Sequence, residues 1–182
     1  VFGDFTPRAG EFMEGIKIYS GRIKLGLKTD TGDITGKTIL ESDVRAVTDV
    51  ELDAVRKKFT GEMDQVPPMY SALKWGGLRL YDLARQGVSV PRSSRRITID
   101  SLELHSIDGG ELYFKVNCSK GTYVRTLAES IGESLGMPDA LSHLVREQSG
   151  TFALGESLAW EKARAMSRDE LMSCSLRPEP GI

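Results

Sequence analysis

Cysteine is nearly absent. Cys118 and Cys174 are the only two in 182 residues, too few and too far apart for a disulfide framework, and in keeping with a reducing compartment. Histidine is as scarce: His105 and His143 have no Cys or second His at ligand spacing, so no metal site is expected; no cofactor is expected either. Neither histidine sits near a nucleophile elbow, which removes Ser-His-Asp catalysis. No run approaches the roughly twenty consecutive apolar residues of a membrane span, and Val1-Phe2-Gly3-Asp4 has neither the basic nor the apolar region of a signal peptide. The expectation is a soluble, cytoplasmic protein with no membrane contact. A phosphate-binding loop is also lacking, because Gly36-Lys37-Thr38 echoes its end but Thr31 stands where its first glycine belongs.

What is present is enough apolar residue, 40%, to bury the core of one domain. Acid slightly exceeds base, 26 against 24 for a net −2, yet the charge is unevenly placed. From Ser71 to Arg96 the cations are Lys74, Arg79, Arg85, Arg92, Arg95 and Arg96 against the single acid Asp82, a local +5 that leaves −7 elsewhere. A basic segment on an acidic protein is a localised footprint for phosphate, with a solvated charged face as the plain alternative.

The periodicities predict a mixed α+β domain with a mainly antiparallel sheet, helices against it and a protruding basic loop. Ile16 to Leu27 alternates as a strand, and Thr29-Asp30-Thr31-Gly32-Asp33 ends it with turn chemistry. Thr48-Asp49-Val50-Glu51 reads as a capping box opening a helix with Leu52, Val55 and Phe59 on one stripe, closed by Gly61. The two prolines of Gln65-Val66-Pro67-Pro68-Met69-Tyr70 exclude helix interior and introduce the basic excursion. Arg96 to Ile107 and Glu111 to Cys118 form a hairpin about Asp108-Gly109-Gly110. Thr122 to Leu135 is a helix with Gly136 just beyond its end. Pro138 is expected to open a further short helix carrying Leu141, Leu144 and Val145, followed by a short strand over Ser149 to Leu154. Ser167-Arg168-Asp169-Glu170 caps a last helix, and residues 177–182 form an extended or disordered tail.

The run Cys118 to Leu127 sets an aromatic ring, Tyr123, two residues from a guanidinium, Arg125, where a strand hands over to a helix. Tyr19, Tyr123, Arg125 and Leu144 could converge on one cavity. Extruded nucleobases are held between aromatic and apolar side chains, and an arginine fixes a phosphate or a carboxylate. Taken singly, each has a bland alternative: a strand Tyr is usually core, and a helical Arg usually faces solvent.

Tyr19 with Leu25-Gly26, Thr29 to Asp33, Val66 to Lys74, Ala84-Arg85-Gln86-Gly87 and Cys118 to Leu127 closely resemble the bacterial TruB tRNA pseudouridine synthases. The resemblance runs in order from about Gly3 to Phe152. It implies a pseudouridine synthase catalytic domain over residues 1–176, with a thumb insertion at about 71–95, acting on a uridine in the T-arm stem-loop of tRNA. In that family pattern Tyr19 is the tyrosine that stacks on the flipped uracil, and Arg125 salt-bridges the catalytic aspartate while Tyr123 shapes the pocket. Leu144 lies under the base, Asp33 holds a structural or base-orienting acidic position, and Lys120 is a further substrate-binding candidate. Lys74, Arg79, Arg85 and Arg92 meet RNA phosphates from the thumb, where Tyr81 packs or stacks. The family's nucleophilic aspartate has no match, since Asp4 stands too close to Tyr19. The chain is therefore expected to begin just after the catalytic loop, to need that segment, in trans if not in cis, and to be inactive alone; the alternative is a non-catalytic RNA-binding or tRNA-folding fragment.

Overall fold

The computed structural model describes residues 3–174; the tail expected at 177–182 lies outside them. A 3-10 turn (Gly3–Arg8) and α1 (Ala9–Phe12) precede β1 (Lys17–Leu25), β2 (Leu27–Thr29), β3 (Thr38–Glu41), α2 (Asp49–Phe59) and β4 (Gly61–Gln65). Then come β5 (Lys74–Trp75), β6 (Leu78–Arg79), α3 (Leu80–Arg85), β7 (Arg95–Ile107), β8 (Glu111–Cys118), α4 (Val124–Leu135), β9 (Asp139–Ser149), β10 (Phe152–Ala153), α5 (Trp160–Ala165) and α6 (Arg168–Cys174).

Six strands form one sheet in the order β10-β9-β1-β8-β7-β4, and every pairing in it is antiparallel. Alternation decides its two faces. In β8 every second residue, Leu112, Phe114, Val116 and Cys118, is buried, and these meet the stripes Leu52, Val55 and Phe59 of α2 and Leu127, Ile131 and Leu135 of α4. Both helices thus cover the same face, and burying such side chains supplies about 1.5–3 kcal/mol each.

Local signals act as expected at the helix ends. Thr48 Oγ1 accepts from Glu51 N while the Glu51 carboxylate accepts from Thr48 N, a complete capping box. Gly136 follows α4 at φ +72°, a conformation that glycine adopts without strain. The Ser167–Glu170 box opens α6 in the same way. Ahead of β1, the buried Lys17 ammonium donates to the carbonyls of Met13, Glu14 and Gly15 at 2.9, 3.1 and 3.1 Å.

One expected element is overturned. Leu141, Leu144 and Val145 lie on a strand, β9, and not on a helix. The spacing that suggests a helical turn comes from a bulge: Ile23 pairs with Leu141 and Arg22 with His143, so Ser142 is the extra residue. Leu141 and Leu144, three apart, thereby share a sheet face. The basic excursion is likewise more than a loop, since β5, β6 and α3 form a hairpin and a helix on a small core of Leu80, Leu83 and Val90 with Met69 and Leu73.

Candidate active site

Gln65, at the end of β4, fixes the entry to α4. Its Oε1 accepts from Tyr123 N at 2.8 Å and its Nε2 donates to Tyr123 O at 3.1 Å. That grip orients the first turn, from which the partly buried Arg125 guanidinium reaches three acceptors: Thr31 O and Asp33 Oδ2, each at 3.2 Å, and Tyr70 O at 2.9 Å.

Asp33 is itself positioned by its turn. Its Oδ1 accepts from Thr31 Oγ1 at 3.1 Å, Thr35 N at 3.1 Å and Thr35 Oγ1 at 2.5 Å, and Thr29 Oγ1 donates to Asp33 O at 2.7 Å. Burial alone would push the carboxyl up, but the hydrogen bonds from Thr35 and Thr31, joined by the Arg125 charge, outweigh it and hold Asp33 below its ordinary value. It is a carboxylate at neutral pH. The turn docks onto β9 through Leu141 N to Gly32 O and Ile34 N to Leu141 O, both 3.0 Å, around a parallel bridge between Asp33 and Leu141.

Further along β9 the register pairs Leu144 with Gly21 and Arg146 with Tyr19, and cross-strand partners share a face. Gly21 is required there: a Cβ would sit 2.1 Å from His143 O and 2.8 Å from the Phe114 ring. Past the cover of α4 this face opens, leaving Leu144 42% exposed beside Tyr19, which packs on the edge of the core. Arg146 is exposed and its side chain makes no hydrogen bond or ion pair among the described residues. Tyr19 and Leu144 thus occupy adjacent strands on one face, while Arg125 is tied to β9 through Asp33 and Tyr123 caps the Arg125 helix. Among the described residues, no hydrogen bond joins any of these four to another.

The other expected positions fall outside this group. Lys120 Nζ pairs with Glu14 Oε2 at 2.5 Å. On the thumb, the Arg79 and Arg85 guanidinium carbons lie 5.7 and 5.5 Å from the Tyr81 ring centre, and Arg79 also donates to the Tyr81 hydroxyl at 3.1 Å. Lys74 is exposed on β5. Arg92 instead turns inward, donating to Pro67 O at 3.2 Å with its Nε buried and unpartnered. Burial pushes the Cys118 thiol up, so this cysteine is no nucleophile at neutral pH. Among the described residues no group of three or more His, Cys, Asp or Glu is placed to hold a metal ion. Gln65, Arg146 and the Asp33–Arg125 pairing were not anticipated. Exposure of an arginine opposite a candidate stacking tyrosine becomes visible only once β9 is a strand.

Residues 1–124 match the family model described as TruB family pseudouridylate synthase (N terminal domain). The chain belongs to this family. It is 43% identical over 183 aligned residues to tRNA pseudouridine synthase B of Geobacillus kaustophilus, covering 95% of this chain and 64% of the relative. It is 48% identical to the protein of the same name from Geotalea uraniireducens, covering 86% of this chain and 50% of the relative. The chain therefore spans half to two thirds of these curated TruB relatives. Among solved structures, a Cbf5-Nop10-Gar1 complex matches at TM-score 0.59 and 24% identity, covering 85% of this chain and 37% of that one. An H/ACA RNP bound to a substrate RNA containing 2'-deoxyuridine matches at 0.55 and 21%, covering 85% and 34%. At those identities the likeness speaks to the fold, a mixed α+β domain on an antiparallel sheet.

Proposed function

We propose that this TruB-family chain forms most of the catalytic domain of a cytoplasmic tRNA pseudouridine synthase acting on a uridine of the T-arm loop. The observation that carries this reading is the family match over residues 1–124, with relatives named tRNA pseudouridine synthase B. In this reading the nucleophilic aspartate comes from sequence upstream of Val1.

The uridine leaves its stack and lies against Tyr19 and Leu144, with Tyr123 shaping the wall. The aspartate attacks the ribose or the base, the N1–C1′ bond breaks, the uracil turns, a C5–C1′ bond forms, and the bond to the aspartate breaks to return its free carboxylate. C5 loses its proton and N1 gains one. Arg125 keeps the nucleophile ionised, because an adjacent cation favours the charged carboxylate. The geometry supports this use of Arg125: Asp33, Thr31 O and Tyr70 O hold the guanidinium without enclosing it. Arg146 adds a cation opposite Tyr19, suited to the backbone of the extruded nucleotide. Lys74, Arg79 and Arg85 meet phosphates along the thumb.

Release of tritium to water from tRNA labelled at uridine C5 tests the reaction. The chain joined to its upstream segment releases tritium in step with pseudouridine formation. No release despite a retained shift of a T-arm hairpin would leave a non-catalytic RNA-binding protein.

A further inference from the structure

Strand alternation puts Leu73, Trp75, Leu78 and Leu80 on one side of the β5–β6 hairpin. Leu73 and Leu80 belong to the small thumb core, and Leu80 N donates to Leu73 O at 2.7 Å to close the ladder above it. The apolar side then continues past that core into solvent. Trp75 and Leu78, directly paired, are 52% and 57% exposed.

The opposite side carries Lys74 directly across from Arg79, and facing like charges weaken a ladder. Arg79 is partly drawn to the Tyr81 ring. Lys74 has no acidic partner among the described residues. The connecting Gly76 and Gly77, at φ +57° and +86°, make a two-residue turn of the kind that suits a tight hairpin, and nothing lies within 4 Å of where their side chains would be. A lone two-stranded hairpin is marginal in water. This one exposes an apolar pair on one side and repelling cations on the other.

We propose that Trp75, backed by Leu78, stacks on an unpaired base of bound RNA while Lys74, Arg79 and Arg85 meet its phosphates; this rests on the RNA-binding reading above. Charge selects the occupant. An apolar partner would cover Trp75 and Leu78 but leave the opposed cations unanswered. A single-stranded nucleic acid offers an anion and a flat ring in each repeat, the pairing that aromatic platforms within basic grooves use.

The chain has two tryptophans, so Trp160→Phe leaves Trp75 as the sole indole reporter. Titration with a stem-loop RNA is expected to quench its emission, while a fully paired duplex of equal length quenches it little. Trp75→Ala is expected to weaken stem-loop affinity roughly 5- to 150-fold, the range for losing one base–aromatic stack, without changing the salt dependence; Trp75→Phe restores most of the affinity. Stem-loop binding with unaltered Trp75 emission and an unaffected Trp75→Ala variant would overturn the inference while leaving RNA binding intact. Equal quenching by the duplex, or a concentration-dependent dimer abolished by Trp75→Ala, would also overturn it. Failure to bind either RNA at low salt would remove the underlying reading and this inference with it.

Discussion

Arg125 and Asp33, 92 residues apart in sequence, meet through a hydrogen-bonded ion pair at 3.2 Å. The carboxylate thereby aims the guanidinium and compensates part of its charge. Asp33→Asn keeps the side-chain shape and removes the anion, so it should lower single-turnover isomerisation up to about 100-fold through misplacement of Arg125, with tRNA affinity nearly unchanged. Arg125→Ala should abolish turnover and still bind tRNA. Parallel filter-binding and tritium-release measurements separate the two, and equal loss of binding and chemistry would contradict a role at the reacting atoms. The lowered Asp33 value means that its stabilising contribution is present above the ordinary value of 3.8 and lost as pH falls through the folded value below it. For a partly exposed pair it amounts to about 1 kcal/mol or less.

Asp139 behaves in the opposite sense. It is 4% exposed, with Oδ2 buried and unpartnered, and lies so close to α4 that a Cβ on Gly132 would come within 2.6 Å of its carboxyl. Burial, and then the Glu129 charge, push it up to about 7, against the pull of Lys28. Because the folded value lies above the ordinary 3.8, ionisation is penalised in the fold: stability falls as pH rises from about 4 to about 7 and is level beyond. The span is on the order of 4 kcal/mol. Thermal unfolding at pH 5 to 8 should show this fall in the native chain and a flatter profile in Asp139→Asn; parallel profiles would sink the assignment.

Lys74→Ala should weaken tRNA binding uniformly across sequences and reduce the slope of log affinity against log salt by about 1, as for one lost phosphate contact. An unchanged slope would exclude that contact.

Gly21→Ala drives a methyl into His143 O and the Phe114 ring. Overpacking of this kind costs about 1–3 kcal/mol, and the contact with backbone argues for the upper end. Urea unfolding should shift accordingly. Separation of β9 from β1 would also move Leu144 away from Tyr19.

Much of the fold was legible because its signals are local. The Thr48–Glu51 box, the Asp108-Gly109-Gly110 turn and the Gly136 stop each act within a few residues. β9 was misread because its bulges at Ser142 and Glu147 shift the side-chain phase, which a single strand of sequence does not reveal. The thumb hairpin, with two residues per strand, is too short for any periodicity. Tyr123 and Arg125 stood out in a dense motif, whereas the Arg125 partner could come only from topology, since the turn at Asp33 reaches it by docking on Leu141.

The Arg125 bond to the Tyr70 carbonyl has a mechanical corollary. Tyr70 lies where the chain departs from the sheet toward the thumb, so the root of that arm and the guanidinium share one joint. On the proposed reading, in which the thumb grips RNA, a swing of that arm would reach Arg125 through this hydrogen bond.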